Sequence, residues 1–497
     1  MQISRRNMLR SSLAGALAVG AAGLTEAAHA EEIEPVQEHN EFDVVIVGAG
    51  CAGLVAAIEA HDLGAKVCVL EKMDRPDGNA IYALGGICSW GSKIQLAAGI
   101  KDTAKDFFDS MMKVSAGRAD PTLTQTYTDH INEDVDWLDE KIGVPFNKTI
   151  PVGPWPKLGR GMRVIGKGKT GGSVLIQTLL KAAESRKIPF FYEHKGVQLL
   201  TGQKGEVIGI RALHTDVGYV DFYAKGGVLL ATGGFSANPA MTDRFIGGWA
   251  SRLVLRGSRV TTGENISLTE PLFAKLVNLD QFHSGPIVGE THVNPADVLN
   301  SGYGIIVNLQ GKRFVDEKNT YVIKAKACAQ LTLENKAFCI VDSDCKALDR
   351  VIPKFESLHS PYGKADTIEE LAKQVGLPVD ATVASVKEYN DALAKKKLGT
   401  LNPPNTYPKP FPIAKAPFYA VPYEGGMTAT FGGPLINAKC EVQNLEGRSI
   451  KGLYAAGNAA GGLFFADYIG GAQLGAATVF GRIAAREMTA RAKKAKN

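Results

Sequence analysis

The sequence predicts an α/β protein in which a Rossmann-like FAD-binding domain, discontinuous along the chain, contains an inserted α+β capping domain. Three segments indicate this fold. The apolar run 43–47 leads into a glycine loop, the apolar run 227–230 leads into Ala231-Thr-Gly-Gly-Phe235, and the glycine-rich segment 452–481 opens a closing helix. Strands that end in glycine turns and continue into helices are typical of nucleotide-binding sheets.

The first glycine loop has the spacing of a dinucleotide-binding turn. Gly48, Gly50 and Gly53 supply a tight turn, close backbone approach to a pyrophosphate and a helix–strand contact. Residues 54–63 continue as an alanine-rich helix whose first N–H groups face the phosphates. Glu71 ends the next apolar run, where an acid binds ribose hydroxyls. Further candidate contacts in this unit are Ala52 and Lys72.

The downstream glycine segments favour FAD over NAD. A strand that ends in Ala456-Gly-Asn458 is followed by a glycine-rich helix start at 470–481. An extended cofactor needs such a second helix N-terminus to face its flavin end. The candidate FAD contacts in these segments are Thr232, Gly233, Gly234, Gly457, Asn458, Gly471, Gln473 and Leu474.

Residues 1–30 have the features of a cleavable export signal. A basic stretch at 4–10, a short apolar stretch at 13–24 and Ala28-His-Ala30 follow one another. The Ser-Arg-Arg-x-x-Leu pattern predicts the twin-arginine route, which exports proteins already folded around a cofactor, and thus a periplasmic protein. The alternative is an ordinary secretory signal that contains two arginines.

Charge and cysteine spacing exclude several classes of function. Removing residues 1–30 takes away three arginines and one glutamate, which leaves 53 basic and 50 acidic side chains, a net charge of +3. This balance argues against a nucleic-acid partner. The seven cysteines show no spacing typical of zinc or haem attachment, so we expect no metal site. The export signal is too short for a permanent membrane anchor.

The length of the mature chain exceeds what one hydrophobic core usually organises. Residues 40–277 and 429–497 alternate apolar runs with helical patterns, and we assign both to the FAD-binding domain. Residues 278–428 form the predicted capping domain, in which 367–375 and 383–393 have amphipathic helical spacing.

With these motifs in place, the chain resembles the flavoprotein family of fumarate reductases and their soluble relatives, including 3-ketosteroid dehydrogenases and urocanate reductases. The matching segments are 48–53, 78–86, 231–235, 304–317, 431–433 and the C-terminal glycine helix. The resemblance adds Asn79, Gly85 and Gly86 to the candidate FAD contacts. Since Asn79 occupies the position of a flavin-linked histidine, the resemblance implies noncovalent FAD.

The sequence departs from the fumarate reductases at the substrate positions. Tyr321 stands where the family has a proton-donating arginine, and Tyr468 replaces an arginine that grips the substrate. Altered positions elsewhere in the site are Asp297, Asn300, Thr428 and Ala429. A dicarboxylate such as fumarate would lack the bidentate guanidinium groups that neutralise it.

The two tyrosines resemble instead the pair in 3-ketosteroid dehydrogenases. By this resemblance Tyr321 is the general acid or base, while Tyr468 and an amide near Gly471 hold a substrate carbonyl. Gly471 and Phe431 are the candidate substrate contacts. Each tyrosine could alternatively be a packed aromatic whose hydroxyl finds a core partner.

Nearby arginines and histidines are further candidates. Arg252, Arg256 and Arg259 cluster before a loop that resembles an FAD-proximal segment of the family, and we expect a solvated or ion-paired face there. The alternative is that one of the three binds a substrate carboxylate. His283 and His292 lie at the start of the insert, where some relatives have a substrate-binding histidine.

These features predict an exported FAD-dependent reductase of a carbon–carbon double bond conjugated to a carbonyl or carboxylate. Its electrons come from an external cytochrome or quinol-linked donor, since export removes access to NADH. One alternative is a 3-ketosteroid-like or cyclic-ketone dehydrogenase that uses the same site in reverse. The other is a flavin electron carrier that has lost catalysis.

Overall fold

The computed structural model describes residues 39–150, 159–166 and 168–496. The predicted export signal lies outside these residues. The strands are β1 (His39–Val47), β2 (Val67–Leu70), β3 (Gly86–Cys88), β4 (Gly161–Arg163), β5 (Phe190–Phe191), β6 (His194–Thr201), β7 (Val207–His214), β8 (Gly218–Leu230), β9 (Val254–Leu255), β10 (Leu276–Val277), β11 (Phe282–Ile287), β12 (Ile305–Asn308), β13 (Ala337–Val341), β14 (Gly363–Ala365), β15 (Phe418–Thr430), β16 (Gly433–Pro434), β17 (Glu441–Gln443) and β18 (Ser449–Ala455).

The α-helices alternate with these strands. They are α1 (Cys51–Asp62), α2 (Asn79–Tyr82), α3 (Lys93–Ala97), α4 (Ala104–Val114), α5 (Pro121–Trp137), α6 (Gly171–Ser185), α7 (Pro239–Phe245), α8 (Glu264–Ser267), α9 (Ala296–Leu299), α10 (Tyr321–Leu331), α11 (Leu348–Ser357), α12 (Ile368–Gln374), α13 (Val379–Ala394) and α14 (Ala472–Lys496). In the part of the chain that the structure describes, no helix has the length and apolarity needed to cross a membrane.

The larger sheet is the predicted nucleotide-binding sheet. Its strand order is β17-β18-β8-β1-β2-β5, and β7 and β6 extend it from β8. Strand β1 pairs in parallel with β2 and β8, and β18 pairs in parallel with β8. Val44, Val45 and Ile46 are fully buried, as expected for a parallel strand covered on both faces.

Helices α1 and α14 join the two ends of this discontinuous unit. Along α1 the first ten residues are buried, and α14 packs against it. The Arg482 guanidinium on α14 contacts the carboxylates of Glu59 on α1 and Asp134 on α5. At the end of α14, Lys496 Nζ lies 2.8 Å from Asp43 Oδ2 on β1. The C-terminal segment therefore completes the sheet that the N-terminal segment begins.

The second sheet is mixed and mostly antiparallel. Its order is β11-β15-β13-β12, with β14 and β9 also paired to β15. Helices α12 and α13 confirm the two helices predicted from amphipathic spacing. Strand β9 precedes the predicted insert, and β15 crosses its predicted end at 428. The division into two domains therefore stays a prediction, supported by the separate sheets.

A buried ion pair fixes the segment between α3 and α4. Arg160 and Asp102 have side chains that are 1% and 0% exposed, and their contact is bidentate. We expect Asp102→Asn to destabilise the protein by about 3–5 kcal/mol, because it leaves the Arg160 charge buried and unpaired. Chemical unfolding measures this change. Asp109→Asn removes the exposed Lys105 pair and serves as control, with an expected loss below about 1 kcal/mol. Equal losses in the two variants would contradict the assignment.

Candidate active site

The glycine loop after β1 requires glycine at two positions, because a side chain there would clash with the protein's own backbone. Gly48 has φ +107°, and a Cβ there would lie 2.5 Å from the Ala231 carbonyl oxygen. A Cβ on Gly53 would lie 1.9 Å from the Gly48 carbonyl oxygen. At Gly50, by contrast, a Cβ would meet only the Asp77 carbonyl oxygen, at 3.9 Å. The fold therefore requires the outer two glycines, whereas the middle one leaves open space above the N-terminus of α1.

Glu71 lies at the end of β2, beside this loop. Its Oε2 accepts a hydrogen bond from Ala49 N at 2.9 Å, and its Oε1 accepts one from Met73 N at 3.0 Å. Burial raises the pKa of the Glu71 carboxyl, while the two backbone hydrogen bonds lower it. A carboxylate fixed in this way keeps free lone pairs for ribose hydroxyls.

Lys72 and Asn79, two further candidate FAD contacts, have side chains that are engaged within the protein. Lys72 Nζ donates to Thr262 Oγ1 and Glu264 Oε1, both at 2.7 Å. Asn79 Nδ2 donates to the Thr428 carbonyl oxygen at 2.9 Å. Position 79 carries a carboxamide and therefore no imidazole nitrogen for a covalent flavin link, and noncovalent binding stays a prediction. The contacts of both residues with FAD stay predictions.

The remaining glycine segments bring distant parts of the chain together. A Cβ on Gly234, after β8, would lie 2.0 Å from Thr430 Oγ1 at the end of β15. A Cβ on Gly85 would lie 2.5 Å from the Gly171 carbonyl carbon, and one on Gly471 would lie 2.9 Å from Cys88 N. The other candidate contacts in these segments are Ala52, Gly86, Thr232, Gly233, Gly457, Asn458 and Leu474.

Gln473 supplies a direct test of whether these residues fit a cofactor. It is the second residue of α14 and lies two residues after Gly471. Its Nε2 atom is buried and has no hydrogen-bond partner among the described residues. A buried amide N–H without a partner is costly unless a ligand accepts from it. The polar ring of a flavin has carbonyl oxygens and ring nitrogens that accept such bonds, so the site fits FAD.

Tyr321 and Tyr468 lie together, as the resemblance implies. Tyr321 is the first residue of α10, and Tyr468 lies in the segment that leads into α14. His283 on β11 lies between them, with Nε2 3.4 Å from the Tyr321 hydroxyl oxygen and its ring centroid 4.5 Å from that of Tyr468. The ring centroid of Phe431 lies 6.1 Å from that of Tyr468. Three elements separated in sequence thus build one aromatic and polar cluster.

The two phenols differ in acidity. Burial raises the pKa of Tyr321, and a hydrogen bond from Tyr468 opposes this effect. For Tyr468, burial again raises the pKa, and the Tyr321 oxygen raises it further. Tyr321 is therefore the phenol that ionises first. Both hydroxyls keep their protons at neutral pH.

His283 is a neutral member of the cluster. Burial lowers its pKa well below the usual value, and the positive charges of Arg256 and Lys326 lower it further. Its Nδ1 atom is buried and lacks a hydrogen-bond partner among the described residues. The sequence offered His283 and His292 as equal candidates. The structure brings only His283 to the tyrosines, because His292 is exposed in the turn after β11.

The expectation for the arginine cluster is wrong for one member. Arg259 is exposed, and Arg252 donates to backbone carbonyls at the end of α10, including that of Ala329 at 2.8 Å. Arg256 instead projects inward, where Nη1 donates to Thr428 Oγ1 at 2.9 Å. Burial lowers its pKa, and the phenols of Tyr321 and Tyr468 act on it electrostatically. It is therefore not part of a solvated face.

The altered relay positions do not join the cluster. Asp297 Oδ2 lies 3.2 Å from Arg350 Nε in an exposed ion pair, and Asn300 is exposed at the end of α9. Ala429 is buried in β15 and adds no polar group. The proton route of fumarate reductases that the resemblance describes is therefore not rebuilt from these residues.

Comparison with known proteins agrees with this geometry. Residues 43–477 match the family model described as FAD binding domain. The chain belongs to this family. FAD is its cofactor, and the family places it among FAD-dependent oxidoreductases.

Similar proteins include both reductases and dehydrogenases. The chain is 30% identical to "Fumarate reductase (cytochrome)" of Shewanella frigidimarina, over 92% of this chain and 78% of that one. A flavocytochrome c3 fumarate reductase structure matches with TM-score 0.77 and 27% identity, covering 91% of this chain and 79% of the other. A 3-ketosteroid-Δ4-(5α)-dehydrogenase from Rhodococcus jostii RHA1 matches with TM-score 0.74 and 26% identity, covering 93% and 99%.

The extent of the match differs among relatives. "NADH:fumarate oxidoreductase" of Klebsiella pneumoniae is 29% identical over 91% of this chain, and the chain spans about half of its length, 48%. The similarity thus concerns about half of that longer protein.

Proposed function

We propose that the protein is an exported FAD-dependent reductase of a carbon–carbon double bond conjugated to a carbonyl or carboxylate. The observation that supports this most strongly is the cluster of the half-buried Tyr321 and Tyr468 with the buried His283, next to the flavin-binding segments. All three are neutral hydrogen-bonding groups with a proton to share. Relatives at about 30% identity include reductases of conjugated double bonds, which supports the same chemistry.

The reaction needs a hydride at the β carbon and a proton at the α carbon. FAD, when bound and reduced, supplies the hydride. Tyr321 donates the proton, because it is the more acidic of the two phenols and therefore the better donor. Tyr468 and a backbone N–H near Gly471 hold the substrate oxygen and stabilise the charge that develops on it. Phe431 lines the apolar side of the substrate.

A dehydrogenase with the same residues is the second candidate. It is favoured by the pair of tyrosines and by the likeness to the 3-ketosteroid dehydrogenase structure. In that direction Tyr321 accepts the α proton as a base. Burial raises the pKa of Tyr321, so its proton-bearing form predominates near neutral pH, and this state suits a donor better than a base.

The electrons reach the protein from a separate donor in this proposal. The described residues include no haem-attachment motif, and a periplasmic protein has no access to NADH. We therefore propose a cytochrome or quinol-linked donor. We also propose that the protein lies in the periplasm after export by the twin-arginine route, as the Ser-Arg-Arg-x-x-Leu pattern predicts, with no permanent membrane anchor.

Anaerobic flavin spectroscopy separates the three functions. We expect reduced, FAD-loaded enzyme to be reoxidised by an aryl acrylate or a cyclic enone, as recorded by the return of the flavin absorption band. Bleaching of the oxidised enzyme by a saturated ketone would favour the dehydrogenase. Response to neither type of compound, together with rapid exchange of electrons with a viologen dye, would favour the electron carrier.

A further inference from the structure

Arg256 has a position that no role in the fold explains. It follows the short strand β9, and its backbone N donates to the Met427 carbonyl oxygen at 2.8 Å, which fixes it beside β15. Its side chain crosses β11 and β15 at Gly285 and Gly426, which face each other in register. A Cβ on Gly285 would lie 1.8 Å from Arg256 Nη1, and one on Gly426 would lie 2.4 Å from its Cδ. The paired glycines open a passage for this guanidinium.

The guanidinium has no anionic partner among the described residues. By contrast, the buried guanidinium of Arg160 pairs with Asp102, and that of Arg313 pairs with Glu317. Arg256 makes one side-chain hydrogen bond, to Thr428, of the five N–H bonds that a guanidinium offers. Arg256 is half-buried, and a cation drawn out of water without a counter-charge is costly, so this position favours a ligand that supplies the negative charge.

The charged groups around Arg256 lack one negative charge. His283 is neutral, and Tyr321 and Tyr468 are protonated phenols. The other cation, Lys326, donates to the Ala466 carbonyl oxygen at 2.8 Å and lies near Asp467, which balances its charge. The cluster therefore has one uncompensated positive charge. A single carboxylate neutralises it, whereas a second carboxylate would be buried without a cation.

We propose that Arg256 binds the carboxylate of the substrate and that the substrate class is an unsaturated monocarboxylate with an apolar remainder. This inference rests on the proposed reductase function, because it names the substrate of that same site. Phe431 and Phe464, whose ring centroids lie 5.4 Å apart, provide the apolar contact near Tyr468. The guanidinium then stands at a different place from the two arginines that Tyr321 and Tyr468 replace.

Binding to the oxidised, FAD-loaded enzyme tests this without turnover. The probes are three saturated acids and their amides: propanoate, 3-phenylpropanoate and succinate, each beside propanamide, 3-phenylpropanamide and succinamide. Shifts in the flavin absorption spectrum measure the dissociation constants. We expect 3-phenylpropanoate to bind at least tenfold more tightly than its amide, and succinate to gain nothing over propanoate.

Variants of neighbouring arginines separate a binding role from a general charge effect. We expect Arg256→Gln to weaken 3-phenylpropanoate binding at least tenfold and leave the amide unchanged, and Arg256→Lys to restore part of the loss. Arg259→Gln removes the same charge from an exposed position on the same segment and should change neither. Because Arg256 is unpaired, its replacement should not lower the melting temperature of the ligand-free enzyme.

Three results would overturn the inference. The first is that no acid binds wild type more tightly than its amide. The second is that Arg256→Gln weakens acid and amide equally. The third is that this variant leaves binding intact but lowers the turnover of acids and neutral enones alike and shifts the pH profile of turnover. That result would mean that Arg256 acts on the phenols and not on the substrate carboxylate. Turnover of a neutral enone by wild type would still support the reductase function. Failure of the Arg256 proposal can therefore be distinguished from failure of the proposed reductase function.

Discussion

Tyr321→Phe is expected to lower kcat for double-bond reduction by roughly 100- to 10,000-fold, the usual contribution of a positioned proton donor. This corresponds to about 3–5 kcal/mol of transition-state stabilisation. The change removes one oxygen, whose contacts are with His283 and Tyr468, and keeps the ring that packs at the start of α10. FAD content and melting temperature should therefore match those of wild type. Reoxidation of the reduced flavin, followed by stopped-flow absorption, measures the step.

The control for this variant is a tyrosine remote from the cluster. The Tyr362 hydroxyl donates to Glu356 Oε1 on α11 at 2.9 Å, and Tyr362→Phe should leave reduction unchanged. Retention of more than about a tenth of the wild-type rate by Tyr321→Phe would contradict the proton-donor role. Reduction by a viologen dye that stays normal in such a variant would favour the electron carrier.

The pH dependence of reduction follows from the same phenol. Burial raises the pKa of Tyr321, so the protonated form that donates is present at low pH and is lost only as pH rises through this raised pKa. The ordinary value for tyrosine is about 10. Reduction should therefore show no decline attributable to Tyr321 below that pH. In the dehydrogenase direction the sign reverses, since the ionised phenol would be the base and activity would rise with pH.

Local sequence was sufficient to predict the nucleotide-binding part of the fold. The glycine loop, α1, β2 and Glu71 lie within about thirty residues, and each step of the pattern has a direct physical cause. The closing helix α14 was predicted for the same reason, although it joins the sheet from the other end of the chain. Gln473 was also predicted, because it lies in the first turn of a helix that faces the flavin.

The substrate side was harder to predict because its residues come from separate elements. Tyr321 and Tyr468 were found only through resemblance to a family, since a spacing of 147 residues has no periodicity. His283 could not be separated from His292, because burial distinguishes them and burial depends on how β11 pairs with β15.

Arg256 was misjudged for the same physical reason. A cluster of three arginines in sequence suggests a charged surface, but Arg256, which follows β9, turns inward. A signal was present in the sequence: Gly285 and Gly426, which face each other across two strands rich in apolar residues. A glycine pair in the interior of a sheet indicates close approach of another group. Without the register of β11 and β15, the sequence does not show that these two glycines are paired.

The glycine loop offers the other large effect, because two glycines that look alike in sequence should respond in different ways. Gly53→Ala places a methyl group 1.9 Å from a backbone oxygen that cannot move without breaking the turn. We expect a variant without FAD that is destabilised by about 3 kcal/mol or more, as for severe overpacking. Denaturant unfolding and the flavin-to-protein absorbance ratio measure the two losses.

Gly50→Ala is the matched variant, with a different expected result. Gly50 has φ −75°, which alanine adopts freely, and the nearest atom to the new methyl is 3.9 Å away. The FAD-free protein should keep its unfolding free energy to within about 1 kcal/mol. FAD affinity should fall by roughly a hundredfold, about 2.7 kcal/mol, because the methyl occupies the space of the pyrophosphate. Unchanged FAD binding by Gly50→Ala would mean that the phosphates do not pass over α1, and the cofactor path drawn from the glycine spacing would have to be abandoned.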